Sequence, residues 1–256
     1  MRGRWKYFIL VLLLAAGRPE SGTSQATRIR VAVAANMQYA FNDIKAAFEK
    51  THSVGVDVII GASGNLTQQI SLGAPIDLYV SADTSYPWHL YRQHFTVGAP
   101  RVYARGCLVL WTTRPGLQPA SDLKMLLSPD IRRIAIANPR LAPYGAAAIS
   151  LLQQSQLLGS LKSKLVYGEN ISQTTQFIAT QNADIGFTAK AVVLSAAMKG
   201  RGRWIEINPD RYPPILQAAV LLKYGTDHHA KAATQFYDFL FSPTAQAIYK
   251  KYGYLN

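Results

Sequence analysis

The 256-residue chain carries 27 Lys and Arg residues against 14 Asp and Glu, a formal net charge of +13, and a single cysteine, Cys107. One cysteine excludes a disulfide within the chain, and after the N-terminus no apolar run approaches the ~20 residues that a membrane-spanning helix needs. The basic charge favours encounters with anionic ligands or surfaces, or serves solubility alone, and does not specify a fold.

The first 26 residues are organised like a secretory signal peptide. Arg2, Arg4 and Lys6 precede an apolar run from Tyr7 to Ala16, and a polar stretch then ends at Ala26. This order of basic, apolar and polar segments is typical of a cleaved export signal. We therefore expect residues 1–26 to be removed and the mature chain to be a soluble periplasmic protein without a lipid anchor or direct membrane insertion.

Strands and helices are predicted to alternate along the mature chain. Ile29, Val31 and Val33 alternate with other residues as in a strand, and the next apolar residues follow helical spacing. The predicted pairs of strand and helix in the first part are 28–34 with a helix around 40–48, 56–60 with 65–72, and 77–81 with 84–93. Repeated pairs of this kind indicate a parallel sheet.

A second set of elements follows, and it includes the predicted strands 107–112, 134–137, 164–167 and 185–188, with helices 145–157 and 172–180 and a further helix after 188. Strand 204–207, a loop with three prolines over 208–214 and strand 215–222 come next. The chain ends in helical sequence. Ser242 is predicted to be the N-cap, Pro243 suits the first helical position, and Gly253 lies just past the last turn.

Two α/β lobes explain this order most simply. Each lobe is predicted to be a mainly parallel sheet flanked by helices, with a ligand cleft between the lobes. The predicted crossings lie near 103–106 and 212–216, so that residues 27–105 plus 213–256 form lobe 1 and residues 106–212 form lobe 2. Ligands of open α/β sheets bind beyond the carboxyl ends of the strands, which places the site in this cleft.

Four β-type runs end in small or amide residues just before a helix. They end at Ala35-Asn36, at Ala62-Ser63-Gly64, at Tyr144-Gly145 and at Asn170-Ile171. The first N–H groups of a helix lack intrahelical partners and carry partial positive charge, so converging helix starts bind anions. The pattern predicts an oxyanion cage made without lysine or arginine.

Each candidate donor also has a purely structural interpretation. The Asn36 amide either caps a helix or donates outward, and the Ser63 hydroxyl has one hydrogen to donate. The Tyr144 phenol either reaches across the cleft or packs in the core, whereas Ile171 offers only its backbone N–H. Sequence alone leaves these alternatives open.

The sequence offers little support for an enzyme. The five histidines show no HExxH or other metal-binding spacing, and His228-His229 is interpreted as a solvated turn. Ser63 lacks a G-x-S-x-G frame, and no Walker A or GxGxxG motif occurs. Clusters of basic residues lack interleaved stacking aromatics, so we expect no nucleic-acid partner. We predict that the protein is not an enzyme and has no cofactor or direct metal-ion ligand.

Several segments together resemble the periplasmic molybdate-binding proteins, which belong to the type 2 periplasmic binding protein family. The likeness covers nearly the whole mature chain, and the run from Gly73 to Asp83 is its most distinctive part. The other segments are Val33 to Asn36, Gly61 to Leu66, Asn138-Pro139 with Pro143 to Gly145, Gly168 to Ile171, and Lys251 to Tyr254.

The resemblance implies a tetrahedral oxyanion, molybdate and also tungstate, held between the lobes by neutral donors. The positions in this sequence that match the family's donors are Ala35, through its N–H, with Asn36, Ser63, Tyr144 and Ile171. Because these groups contact the oxygen atoms, molybdenum is expected to bind only as molybdate. Some members take a tyrosine donor at the position of Ala189, for which Tyr144 is the substitute here. The implied function is capture by hinge closure and delivery, as a monomer, to the membrane permease of an ABC importer.

Neutral donors without acceptors would penalise monohydrogen phosphate, whose O–H would stay unpaired at a cost of roughly 1–3 kcal/mol. Glu169 is the one carboxylate near the site in sequence, and we expect it to point away. The alternatives are a receptor for sulfate or another oxyanion, a ferric-ion receptor using tyrosines such as Tyr252 and Tyr254, and a secreted enzyme with its active site in the cleft.

Overall fold

The computed structural model describes residues 27–255, so the proposed signal peptide lies outside the described residues. The chain alternates strands and helices, as the sequence predicts. The strands are β1 Thr27–Ala34, β2 Val54–Gly61, β3 Leu78–Val80, β4 Arg101–Gly106, β5 Leu108–Thr112, β6 Ile134–Ala137, β7 Leu165–Gly168, β8 Ile185–Ala189, β9 Arg203–Glu206 and β10 Ile215–Leu221. The α-helices are α1 Gln38–Glu49, α2 Ser63–Ser71, α3 Ser85–Arg92, α4 Pro143–Gln154, α5 Leu158–Leu161, α6 Ile171–Ala179, α7 Lys190–Val193, α8 Lys223–Phe239 and α9 Pro243–Lys251.

Five strands form a first sheet, which we call sheet A, in the order β2-β1-β3-β10-β4. β1, β2 and β3 are parallel, and β10 runs antiparallel to both β3 and β4. Five of the last six residues of β1 are buried, because helices cover both faces of such a sheet and select a nearly continuous apolar run. Phe41 and Phe48 of α1 pack against Phe236 of α8 on one face.

A second sheet, sheet B, has the order β7-β6-β8-β5-β9. β6, β7 and β8 are parallel, and β5 runs antiparallel to β8 and β9. The predicted α/β class with two mainly parallel sheets is therefore confirmed. The lobe boundaries that we placed at residues 105/106 and 212/213 stay a prediction.

The carboxyl ends of the parallel strands position the candidate residues. β1 ends at Ala34, and a 3₁₀ turn over Ala35–Met37 leads directly into α1. β2 ends at Gly61, two residues before α2 begins, and β7 ends at Gly168, three residues before α6 begins. A turn after β6 leads to α4. These four junctions carry the donors predicted from sequence.

The C-terminal helix follows its predicted signals. The Ser242 hydroxyl accepts a hydrogen bond from the N–H of Ala245, Pro243 is the first helical residue, and Gly253 has a φ of +74° after the last turn. A left-handed backbone at this position favours glycine. The chain beyond it returns to sheet A, where Leu255 pairs with Arg105.

The sequence analysis did not predict β4, and one local prediction is wrong. β4 is an edge strand whose first two residues, Arg101 and Val102, are exposed, so it lacks an alternating apolar signal. The crossing that we placed near residues 103–106 stays a prediction. His228-His229, expected in a solvated turn, lies within α8, which is kinked at His229. The His229 Nδ1 lies 2.7 Å from an oxygen of buried Asp77, a partner 152 residues away in the chain.

Within residues 27–255, none of the helices has the length and apolar character that crossing a bilayer requires.

Candidate functional site

A small cavity lies where four strand-to-helix junctions meet. Its volume is about 10 Å³, close to the lower limit for holding one water molecule, whereas pockets for organic ligands usually exceed ~300 Å³. The site therefore suits a compact ligand. Its lining residues are Ala34, Ala35, Asn36, Gly61, Ala62, Ser63, Ala82, Ala142, Pro143, Tyr144, Asn170 and Ile171.

All five residues that the sequence analysis proposed as donors line this one cavity: Ala35, Asn36, Ser63, Tyr144 and Ile171. Sheet A supplies the first three, and the helices after β6 and β7 of sheet B supply the other two. The structure thus brings together residues that are up to 136 positions apart between Ala35 and Ile171.

Backbone N–H groups are the main donors at the cavity. Ser63 and Ile171 are the first residues of α2 and α6, and Tyr144 is the second residue of α4. N–H groups at these positions have no partner within their helix, and they carry the positive end of the helix dipole. Such an arrangement stabilises negative charge without a cationic side chain.

Ser63 is held in place by bonds to the end of β3 and the residues after it. Its hydroxyl oxygen accepts a hydrogen bond from the Ala82 N–H at 3.1 Å, and its carbonyl oxygen accepts one from the Tyr79 hydroxyl at 2.8 Å. Because the Ser63 hydroxyl accepts here, its own hydrogen is left to donate. Ser63 is only 1% exposed, so the donor is fixed inside the cleft.

The Asn36 side chain is bonded into the protein. Its amide nitrogen donates to Oε1 of Gln217 at 2.7 Å and to the Tyr254 hydroxyl at 3.2 Å. An amide nitrogen has two hydrogens, so both are used in this arrangement. The backbone N–H of Asn36 is then its available donor at the cavity.

The Tyr144 hydroxyl also lies beneath the cavity. It accepts a hydrogen bond from Nε2 of Gln217 at 3.3 Å. A methyl group on Gly106 would lie 2.1 Å from the Tyr144 hydroxyl oxygen, so only glycine permits this approach. Burial raises the pKa of Tyr144 well above its ordinary value, which keeps the phenol neutral.

No charged side chain belongs to the cavity lining. The twelve lining residues include no Asp, Glu, Lys, Arg or His, and within the described part of the chain no cluster of three or more His, Cys, Asp or Glu is suited to hold a metal ion. Burial raises the pKa of the nearby Cys107 thiol to about 11, so this thiol is a poor nucleophile at neutral pH. The chemistry of the site is hydrogen-bond donation from neutral groups.

Hydrogen bonds also join the two halves around the cavity. The Gly64 N–H donates to the Leu141 carbonyl at 2.9 Å, and the Asn65 amide donates to a Glu169 oxygen at 2.6 Å. Two further pairs are the Tyr86 hydroxyl with the Arg140 carbonyl at 3.0 Å and the Ser172 hydroxyl with the Gln38 amide oxygen at 2.7 Å. Glu169 bonds to Asn65 and does not line the cavity. Because these bonds join the two halves, the cleft is closed.

Sequence reasoning missed the side chains beneath the cavity. Gln217, Tyr103 and Tyr254 form a hydrogen-bonded group with Asn36. Gln217 did carry a signal, because it is the one polar residue in the strand sequence ILQAAVL. Its partners come from distant parts of the chain and have no motif.

A larger cavity of about 590 Å³ lies elsewhere in the molecule. Its lining includes Thr27 and Val54, the first residues of β1 and β2, and the histidines His52, His228 and His229. It is therefore at the amino ends of the strands, away from the converging helix starts. Its size exceeds that of the small cavity, but none of its lining residues is the first residue of a helix in the described part of the chain.

Comparison with known proteins identifies the family. The model of the bacterial extracellular solute-binding proteins matches residues 29–255. A molybdate-binding protein of Azotobacter vinelandii is 39% identical over 247 residues, which cover 96% of each chain. One from Rhodobacter capsulatus is 39% identical over 232 residues, covering 90% of this chain and 89% of its own. The solved structure of the A. vinelandii periplasmic molybdate-binding protein matches with a TM-score of 0.83 and 34% identity, over 89% of this chain and 99% of that one.

Proposed function

The chain belongs to the bacterial extracellular solute-binding proteins, a family of receptors rather than enzymes, and we propose that it captures molybdate and delivers it to an ABC importer. Tungstate, which has the same shape and charge, is the second ligand. The proposal includes export by residues 1–26, a periplasmic location and action as a monomer that docks on a membrane permease. It includes no cofactor, no nucleic acid and no insertion into the membrane.

One observation carries the proposal: the five predicted donors line a single small cavity that contains no charged side chain. A dianion buried there has its oxygens satisfied by N–H and O–H donors, as oriented helix starts provide. The same positions are those that the molybdate-binding resemblance implies. Ala35, Asn36, Ser63, Tyr144 and Ile171 are therefore the proposed ligand-binding residues, and they contact oxygen atoms rather than molybdenum.

The two-lobe division is part of the proposal. Residues 27–105 plus 213–256 would form one lobe and residues 106–212 the other. The membership of the sheets supports this, because sheet A takes its strands from residues 27–106 and 215–221 and sheet B takes its strands from residues 108–206. A ligand that contacts both lobes stabilises the closed form.

A receptor for sulfate or another oxyanion is the second candidate, because a cavity of neutral donors recognises shape and protonation state rather than the central atom. Thermal unfolding of residues 27–256 with molybdate, tungstate, sulfate or phosphate separates the two. A ligand at ~1,000 times its dissociation constant adds about 4 kcal/mol to the unfolding free energy. We expect stabilisation by molybdate and tungstate only. Equal stabilisation by sulfate would support the second candidate, and no shift with any anion would refute both.

Ser63→Ala tests the site. The Ser63 hydroxyl is fixed by the Ala82 N–H, so its loss removes one ligand donor and leaves that N–H without its acceptor. We expect about 1–2 kcal/mol weaker molybdate binding, measured by titration calorimetry, with a folded protein by circular dichroism. Ser160→Ala is the control, because Ser160 is an exposed residue of α5 and does not line the cavity. Unchanged affinity in Ser63→Ala would remove Ser63 from the site.

A further inference from the structure

We propose that Gln217 is a positioning residue for the oxyanion site. Its side chain holds Asn36 and Tyr144 in their relative positions across the cleft. This inference rests on the proposed function, since it concerns how the same cavity is formed. Gln217 does not line the cavity. It acts through two residues that do.

The carboxamide of Gln217 bonds to both halves of the site. Its Oε1 accepts from the Asn36 amide at 2.7 Å and from the Tyr103 hydroxyl at 2.9 Å. Its Nε2 donates to the Tyr144 hydroxyl at 3.3 Å. Gln217 and Asn36 belong to the sheet A side, whereas Tyr144 is on α4 and follows β6 of sheet B. One fully buried side chain therefore connects a donor residue from each side.

The backbone around Gln217 is shaped for this role. The pairing of β10 with β4 shifts register between Gln217 and Ala218, and leaves Tyr103 without a partner residue in β10. A bulge of this kind turns a side chain from its regular direction, and here the Tyr103 hydroxyl reaches Gln217. A methyl group on Gly106 would lie 2.7 Å from Gln217 Nε2 and 2.1 Å from the Tyr144 hydroxyl oxygen.

The group beneath the cavity is neutral. Burial raises the pKa of Tyr103 and Tyr144 well above their ordinary value, and it also raises that of Tyr254. Cys107 is the other titratable group close by, and burial raises its pKa to about 11. The charged side chains Arg105, Lys190 and Glu206 act on Cys107. Between about pH 6 and about pH 8, therefore, none of the four buried groups gains or loses a proton.

The closed form depends on these bonds more than an open form would. When the cleft opens, water can satisfy the Asn36 amide and the Tyr144 hydroxyl. When it closes, both groups are buried and need Gln217. A buried polar group without a partner destabilises the state that buries it, so loss of Gln217 penalises the closed, ligand-bound form. The effect falls mainly on the dissociation rate of the anion.

Two substitutions at this position separate positioning from simple filling of space. Gln217→Met keeps the length of the side chain and removes its hydrogen bonds. We expect about tenfold weaker molybdate binding, mostly through faster dissociation in stopped-flow fluorescence, at every pH tested. Gln153→Met is the matched control, because Gln153 is on the exposed face of α4, and it should bind as the parent protein does.

Gln217→Glu gives a readout that a structural role alone would not produce. Its carboxylate can still accept from Asn36, Tyr103 and Tyr144, but it places a negative charge behind the anion. Burial raises the pKa of such a carboxyl group, so lowering the pH from about 8 to about 6 should neutralise it in a growing fraction of molecules. We expect molybdate affinity of Gln217→Glu to rise over that range while the affinity of the parent protein stays flat.

The outcomes distinguish the inference from the function on which it rests. If the parent protein binds no oxyanion, the proposed function fails. If the parent protein binds molybdate and Gln217→Met binds with the same affinity and dissociation rate, Gln217 has no positioning role. A flat pH profile for Gln217→Glu would overturn the inference in the same way. Circular dichroism and unfolding without ligand show that each variant is folded, so a loss of binding cannot be mistaken for a loss of structure.

Discussion

Sheets A and B are built on the same plan but supply different chemistry. In each, three parallel strands are followed by an antiparallel strand and an edge strand, in the orders β2-β1-β3-β10-β4 and β7-β6-β8-β5-β9. The site takes its residues from equivalent places. Asn36 follows β1 and Tyr144 follows β6, the second strands in these orders. Ser63 follows β2 and Ile171 follows β7, the first strands. The cavity is therefore formed by two similar β–α frameworks facing each other.

The similarity extends to the opposite ends of the strands. Asp77 directly precedes β3 and accepts a hydrogen bond from the Arg30 N–H at 2.6 Å. Asp184 directly precedes the equivalent strand β8 and accepts from the N–H groups of Arg132 and Arg133 at 2.8 and 2.9 Å. Each carboxylate thus fixes the start of the central strand of its sheet, β3 or β8, to the neighbouring strand β1 or to the residues just before β6.

The difference lies in the groups that hold the donors. On the sheet A side, Ser63 and Asn36 are fixed by hydrogen bonds from Ala82, Tyr79 and Tyr254. On the sheet B side, small residues allow close packing: Gly145 has no room for a methyl group against the Ala137 carbonyl. We infer that the first half presents a prearranged set of donors and that the second half depends on tight backbone packing.

Gly145→Ala tests the packing half and should have the largest effect. The added Cβ would lie 2.1 Å from the Ala137 carbonyl oxygen, and backbone must move to relieve the clash. We expect about 3 kcal/mol of lost stability by chemical denaturation, together with weaker molybdate binding because Tyr144 moves. Gly159→Ala is the control, since nothing lies within 4 Å of its new methyl group. Parent-like stability in Gly145→Ala would contradict this account of sheet B.

Asp77→Ala tests the carboxylate that fixes β3 in sheet A. It removes a 1% exposed side chain that accepts from Arg30 and pairs with His229, so the Arg30 N–H loses its partner. We expect about 2 kcal/mol of lost stability and unchanged molybdate affinity per folded molecule, because Asp77 lies at the far end of β3 from Ala82. Asp227→Ala, at an exposed position of α8, should be neutral. A large change in affinity would show that the two ends of β3 are coupled.

Asp184→Asn tests the equivalent carboxylate in sheet B. Burial alone would raise the pKa of Asp184, but N–H donation from Arg133 and Arg132 and the nearby Arg114 guanidinium outweigh it, and the pKa is lowered. Because the pKa of Asp184 is lower in the folded state, its carboxylate stabilises the protein at pH values above the unfolded-state pKa of about 4. This stabilisation is lost as the pH falls through the folded-state pKa.

We therefore expect Asp184→Asn to lose about 1 kcal/mol at neutral pH and to show a flatter decline in stability below about pH 4. Urea unfolding at a series of pH values measures both effects, with Asp130→Asn at an exposed position as the control. An acid decline as steep as that of the parent protein would mean that other carboxylates dominate.

Asn65→Ala tests the contact between the two halves at the cleft and should have the smallest effect. The bond from the Asn65 amide to Glu169 is short, at 2.6 Å, but it is exposed. Exposed polar pairs contribute about 0.5 kcal/mol, so we expect about twofold faster dissociation of molybdate and no change in stability without ligand. Asn182→Ala, whose amide bonds only within its own loop, is the control. An effect larger than that of Ser63→Ala would make this contact, and not the donors, the main support of closure.

The sequence was informative where the signal is local. Strands such as β1 and β6 are short apolar runs, and the helix starts after them carry small residues, an N-cap or a proline. The sequence analysis therefore found the α/β class, most elements and the residues of the cavity. It missed β4, because an edge strand with exposed residues lacks an apolar pattern, and it misassigned His229, whose partner Asp77 is 152 residues away.

By itself the sequence determined the periodic elements, the chemical type of each helix start and the absence of a charged residue at those four starts, because these properties belong to neighbouring residues. Only the tertiary structure decided how closely the helix starts approach one another, that the cavity is small, and that Gln217 bonds to Asn36 and Tyr144. Those contacts join residues 181 and 73 positions apart. Such partners are selected by the packing of the two sheets, and no local pattern of residue types records that packing.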